Sequence, residues 1–137
     1  MKKTTAIAAL FACLSTFSSC QKSEDEKAAP LMQRIDSLYR AKDYQSTLKA
    51  ITQLRAEHPR AIKSRERALK IWQEASLKMT QDDIGRTDSA LQATSALYNA
   101  ERNLGRKNML RVKRDSLQVR YDALCGTVRV IHKRQKE

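Results

Sequence analysis

From residue 60 to its last residue this chain contains no proline, and its three glycines, Gly85, Gly105 and Gly126, are spread widely along that same stretch. Proline and glycine are the residues that most disfavour helix. A long run nearly free of them, with apolar side chains at helical spacing, is therefore read as helix. Leu110, Leu117, Tyr121, Leu124, Val128 and Ile131 alternate steps of four and three from Leu117 onward, which aligns them as a coiled-coil type of seam, with Arg114 its one charged member. Ile62, Leu69, Trp72 and Met79 share one side of an earlier stretch, with Ala68 and Ala75 beside them. Ile84, Leu91 and Tyr98 continue at intervals of seven, but Thr87 and Thr94 hold the positions between them and weaken that part of the seam. Aromatic residues are only 5% of the chain, so the core has to be largely aliphatic.

Two places interrupt this pattern. Thr80-Gln81-Asp82-Asp83 has the form of a weak helix cap and is followed by Gly85; Asn103-Leu104-Gly105 is the second. Turns there would fold the chain back into an antiparallel bundle, whereas bends would leave residues 60 to 134 as a rod of roughly 110 Å. Upstream, Pro30 suits the first residue of a helix carrying Leu31, Ile35, Leu38 and Tyr39 and ending near Lys42-Asp43. A second helix is expected from Tyr44, with Leu48, Ile51 and Leu54 on one stripe, to His58, whose helical geometry Pro59 disfavours. Ala41-Lys42-Asp43-Tyr44 with Pro59 resembles the second half of a tetratricopeptide repeat, although Lys42 stands where that family usually has Gly and Thr47 where it has Ala. No second copy follows, so the hairpin has to lean on the next helix. The fold class expected is all-α: a TPR-like hairpin over 30–59, then long helices over 60–137 as a bundle or a coiled-coil-like rod.

The N-terminus carries an address. Lys2 and Lys3 precede an apolar stretch, Thr4 to Phe17, that is too short to span a bilayer as a stable helix, which is the layout of an export signal. Phe17 does not suit an ordinary cleavage site, which requires small residues. Phe17-Ser18-Ser19-Cys20 instead resembles the lipobox of bacterial lipoproteins. That resemblance implies a signal peptide over 1–19, a diacylglycerol thioether on the Cys20 thiol and acylation of its new amino group. Several acyl chains would anchor the chain to a membrane far more strongly than one. Gln21, Lys22, Glu24, Asp25 and Glu26 after the Cys resemble the signal that sends lipoproteins of Bacteroidota to the outer face of the outer membrane. Residues 20–29 are read as an acidic tether. The chain as a whole is similar to small uncharacterised helical lipoproteins of that group, a resemblance that implies a cell-envelope, outer-membrane location but points to no particular activity. With Cys13 lost and Cys20 acylated, Cys125 has no disulfide partner.

The charge is lopsided. Lys and Arg number 27 against 15 Asp and Glu, and the last third of the chain is its most basic part. Arg111, Lys113, Arg120 and Arg134 flank the Leu117 seam and form a candidate face for an anionic partner, lipid or glycan. Self-association through that seam would gain no ion pairs, and in the antiparallel sense would oppose cation to cation. Glu66, Glu74, Asp82, Asp83 and Asp88 are available as internal complement in a folded-back chain. Export and the lack of a recognition motif or of rows of stacking aromatics argue against nucleic acid. His58 sits at a helix end, and His132 is seven residues, or about 10.5 Å along a helix, from Cys125, too far for a thiol and its base. No Walker loop, HExxH pair or CxxC occurs. The expectation is a non-enzymatic interaction or scaffold subunit of the envelope, with no cofactor and no metal, its partners the membrane and an envelope protein. The alternative is a module binding anionic lipid or glycan through the basic C-terminal helix.

Overall fold

The computed structural model describes residues 22–137, which form four helices: α1 (Glu24–Arg40), α2 (Tyr44–Glu57), α3 (Ile62–Ala100) and α4 (Leu104–Arg134). Cys13, Cys20, Gln21 and the whole of the segment read as a signal lie outside the described residues. The chain is an all-α bundle in which α1 and α2 pack on α3 and on each other, and α3 packs on α4.

The first helix begins at Glu24, inside the expected tether and six residues before Pro30. The Ser23 hydroxyl accepts from the Glu26 backbone N–H at 3.2 Å, and the Glu26 carboxylate accepts from the Ser23 N–H at 2.7 Å. This reciprocal pair satisfies two donors that a helix start leaves open, and three acidic residues in the first turn suit the positive end of the helix. Pro30 sits inside the helix, where the Glu26 carbonyl goes without its usual N–H donor.

The turn into α2 follows the expected spacing. The Asp43 N–H donates to the Leu38 carbonyl and the Lys42 N–H to that of Tyr39, both at 3.0 Å, with Lys42 left-handed at φ 60°. This is the Schellman arrangement, and it places Lys42 in a conformation that glycine adopts at least cost. Asp43 then caps α2 by accepting from the Ser46 N–H at 3.1 Å, and Thr47, fully buried, donates its hydroxyl to the Asp43 carbonyl at 2.7 Å. At the far end the His58 N–H donates to the Leu54 carbonyl at 2.9 Å, so His58 closes α2.

The core lies where the hairpin meets the first half of α3. Ala28, Met32 and Ile35 of α1, Ala50, Ile51 and Leu54 of α2, and Ala61 and Ala68 are buried together, with Leu31, Leu38 and Ile71 against them. Polar contacts fix the hairpin's angle. α3 has no side-chain cap of its own, and the Asp25 carboxylate supplies one from α1, accepting both the N–H and the hydroxyl of Ser64 at 2.8 Å. Arg67 pairs with Asp36 at 2.7 Å, Tyr39 donates to Glu74 at 2.7 Å, and the Arg55 guanidinium lies 4.4 Å over Trp72.

The break expected near residue 80 is absent, since α3 is helical from Ile62 through Gly85 to Ala100, about 58 Å at 1.5 Å per residue. Thr80 does not cap a new helix; its hydroxyl donates back to the Ser76 carbonyl at 2.8 Å. The second break is the turn. Asn103 accepts from the Arg106 N–H at 3.0 Å and donates its own N–H to Glu101 at 2.8 Å, and Glu101 pairs with Arg106 at 3.2 Å. α4 then runs back antiparallel, so the rod is replaced by a hairpin of half its length.

Candidate functional site

The surface of α4 is where the charge and the uncovered apolar groups of the molecule concentrate. Its inner face is the seam read from the sequence: Leu110, Leu117, Tyr121, Leu124, Val128 and Ile131 are all half-buried, and no residue of α4 is fully buried. On the distal half of α3 the buried partners are Thr87 and Thr94, small enough to bring the helices close but poor in apolar surface. Arg114, the charged residue of the seam, has a local explanation. Its guanidinium lies 4.7 Å over the Tyr98 ring and is held by Asp115 at 2.8 Å, and Lys107 reaches the same ring at 5.0 Å.

Of the four cations singled out in the sequence, helical spacing aligns three on one flank of α4. Lys113, Arg120 and Arg134 are exposed and recur on one flank of α4 at multiples of seven, while Arg111 is exposed on the opposite flank. None of the four forms an ion pair among the described residues, where the pairs made by α4 are Arg106 with Glu101 and Arg114 with Asp115. Three of the five acidic residues of α3 are engaged elsewhere, Asp83 by Arg86, Asp88 by Gln92 and Glu74 by Tyr39, and neither Glu66 nor Asp82 pairs with a cation of α4. Arg134 lies at the rim of a groove of about 700 Å³ between the ends of α3 and α4, lined by Glu66, Leu69, Glu74 and Glu137 among others.

The three acidic residues read as part of an export signal have structural partners. Lys22 is exposed; Glu24 pairs with Lys27 at 2.8 Å, Glu26 closes the cap of α1, and Asp25 caps α3. The Ser64 backbone N–H holds the Asp25 carboxyl below the usual range, and a hydrogen bond from Lys27 does the same for Glu24. Cys125 is half-buried and free, and His132 meets Gln135 at 3.2 Å. Among the described residues no three His, Cys, Asp or Glu side chains converge as metal ligands, and no helix is long and apolar enough to cross a membrane.

One feature of α4 escaped the sequence reading. Met109, Val112, Ser116, Val119, Ala123, Gly126 and Val130 follow steps of three and four without a charge, two residues out of phase with the leucine seam and therefore on the side turned away from α3. Met109, Val112, Val119 and Val130 are 73%, 65%, 70% and 58% exposed. The signal was present as a second periodicity, masked because Ser, Ala and Gly fill nearly half of it. At its start, Leu97, Met109 and Leu110 line a shallow apolar groove of about 470 Å³ beside the turn.

No protein-family model, curated protein or solved structure matches the chain.

Proposed function

We propose that this chain is a membrane-anchored lipoprotein that serves as a non-enzymatic helical interaction or scaffold subunit of the bacterial cell envelope, held in the outer membrane by acyl chains on Cys20. The observation that carries the reading is Phe17-Ser18-Ser19-Cys20 behind a short apolar export segment and ahead of an acidic stretch. The long hairpin of α3 and α4, with apolar side chains left on its outer face, supports an interaction role. Cys20→Ala should give a species that is uncleaved or soluble, with the mass change of lost acylation. Unchanged mass and unchanged membrane fractionation would refute the anchor. Crosslinking on intact cells followed by purification of the anchored chain should then recover an envelope protein.

A second reading is favoured by one observation, the unpaired row of Lys113, Arg120 and Arg134. In it the basic face engages phosphorylated headgroups or anionic glycan, to which each nearby cation contributes about 1 kcal/mol at modest salt. Vesicle binding that falls steeply with ionic strength, and is lost when the three residues are changed to Glu with helicity intact, supports it; equal binding by both proteins removes it.

A further inference from the structure

We infer that the outer face of α4 is a self-association surface on which two copies of this chain pair in parallel through Met109, Val112, Val119 and Val130. The leucine seam of α4 is covered by α3, so any pairing of α4 with another helix has to use the opposite stripe. That stripe keeps a three-four spacing over three heptads with no charged member, the pattern of a coiled-coil contact. Ser116, Ala123 and Gly126 allow close approach of two backbones but bring little apolar area. The contact should therefore fall below the roughly 1,200 Å² of a stable standard interface, which makes a reversible dimer the expected state.

Charge selects the occupant and its direction. One flank of the stripe carries Lys113 and Arg120, the other Asp115 and Asp122. A helix with opposite charges on its two flanks is complementary to a parallel copy of itself. In a parallel pair the residue before one core position faces the residue five further on in the partner. Asp115 then meets Arg120 on both sides of the two-fold axis, and Asp122 meets Thr127. The one repulsive match, Arg129 with Arg134, falls at the last turn of α4, where side chains can splay into water. Antiparallel registers that overlap the stripe do worse at the centre. One opposes Asp115 to Asp122 and Lys113 to Arg120. The other gains Asp115 with Arg129 but sets Asp122 and Arg120 each against its own copy. The inference does not depend on the anchor at Cys20.

The test uses the full chain in membranes of bacterial cells producing it, with Cys125→Ser as background and that parent as control. Under mild oxidation Val119→Cys should crosslink to itself in the partner, while mixed chains bearing Ser116→Cys with Val119→Cys, or Val119→Cys with Ala123→Cys, should give little mixed product. Asp115→Lys should lower the Val119→Cys crosslink about fivefold, since two exposed ion pairs become repulsions, and adding Arg120→Glu should restore it. Circular dichroism checks that helicity is unchanged in each variant. Val119→Glu, an exposed substitution, should keep the chain monomeric in sedimentation while the parent dimerises with concentration. Predominant mixed crosslinks, or a dimer indifferent to both charge changes, would overturn the proposal. So would a monomer at every concentration, whether the cysteine at 119 alkylates at once or is shielded by residues 4–17 or another protein.

Discussion

Asp25 belongs to the first turn of one helix and completes another. Its carboxylate takes the third N–H of α3, a group that the helix has no residue of its own to satisfy, so its removal affects two elements. Asp25→Ala is expected to lower the melting temperature, and to do so more than the same change at Asp36, whose Arg67 partner remains solvated. The pH dependence follows from the depressed carboxyl: the contribution is fully present above the unfolded value near 3.9 and is lost as pH falls through the lower folded value. Acid titration of stability should thus be shallower below pH 4 in the Asp25→Ala protein than in the parent. Tyr39 has the opposite sign. Its hydrogen bond to Glu74 pushes its hydroxyl up to about 12, so its contribution is intact below pH 10 and disappears as pH rises toward 12. Absorbance titration should show Tyr39 among the late tyrosines, alongside Tyr121, which its neighbour Cys125 also raises, and Glu74→Gln should bring Tyr39 alone forward. Neither role was legible in the sequence, because each joins residues more than thirty positions apart. The cap at Ser23 was legible in principle, since Ser-x-x-Glu ahead of an apolar run is a helix start, but the same run of three acidic residues also fits a solvated tether.

At the scale of the elements, α2, with its start at Tyr44 and its stop at His58, was readable because Asp43 and Pro59 act on the backbone next to them. The choice between bend and turn was not. Gly85 and Gly105 carry the same intrinsic cost, and the difference lies in side-chain partners: Thr80 bonds back into its own helix, whereas Asn103, Glu101 and Arg106 close a turn. Gly85 is therefore a helix-interior glycine with open space around it, as nothing beyond the adjoining backbone of its own helix and its chain neighbours lies within 4 Å of where a Cβ would be. Gly85→Ala should raise stability by about 1 kcal/mol, measured by urea unfolding with unchanged slope. Lys42 is the mirror case, a side chain in a left-handed turn. Lys42→Gly should also stabilise, by up to about 1 kcal/mol, and a loss of stability would mean that the turn relaxes in solution.

Across the whole molecule the helical class and the basic last third could be read directly, since both follow from composition and spacing. The distribution of the packing could not. The aliphatic core gathers between the short hairpin and the first half of α3, while the other half of α3 meets α4 over threonines and half-buried side chains. The fold-back also brings both ends of the described residues to one end of the bundle: Asp25 and Arg134 border the same stretch of α3, beside Lys63 and Arg67. A tension applied between those ends loads the α3–α4 contact one turn at a time instead of across its full length. The chain should accordingly open like a zipper, with α4 peeling away at low force in an optical trap before the three-helix core yields in a separate, steeper step. A single high-force rupture would show that the two halves act as one mechanical unit.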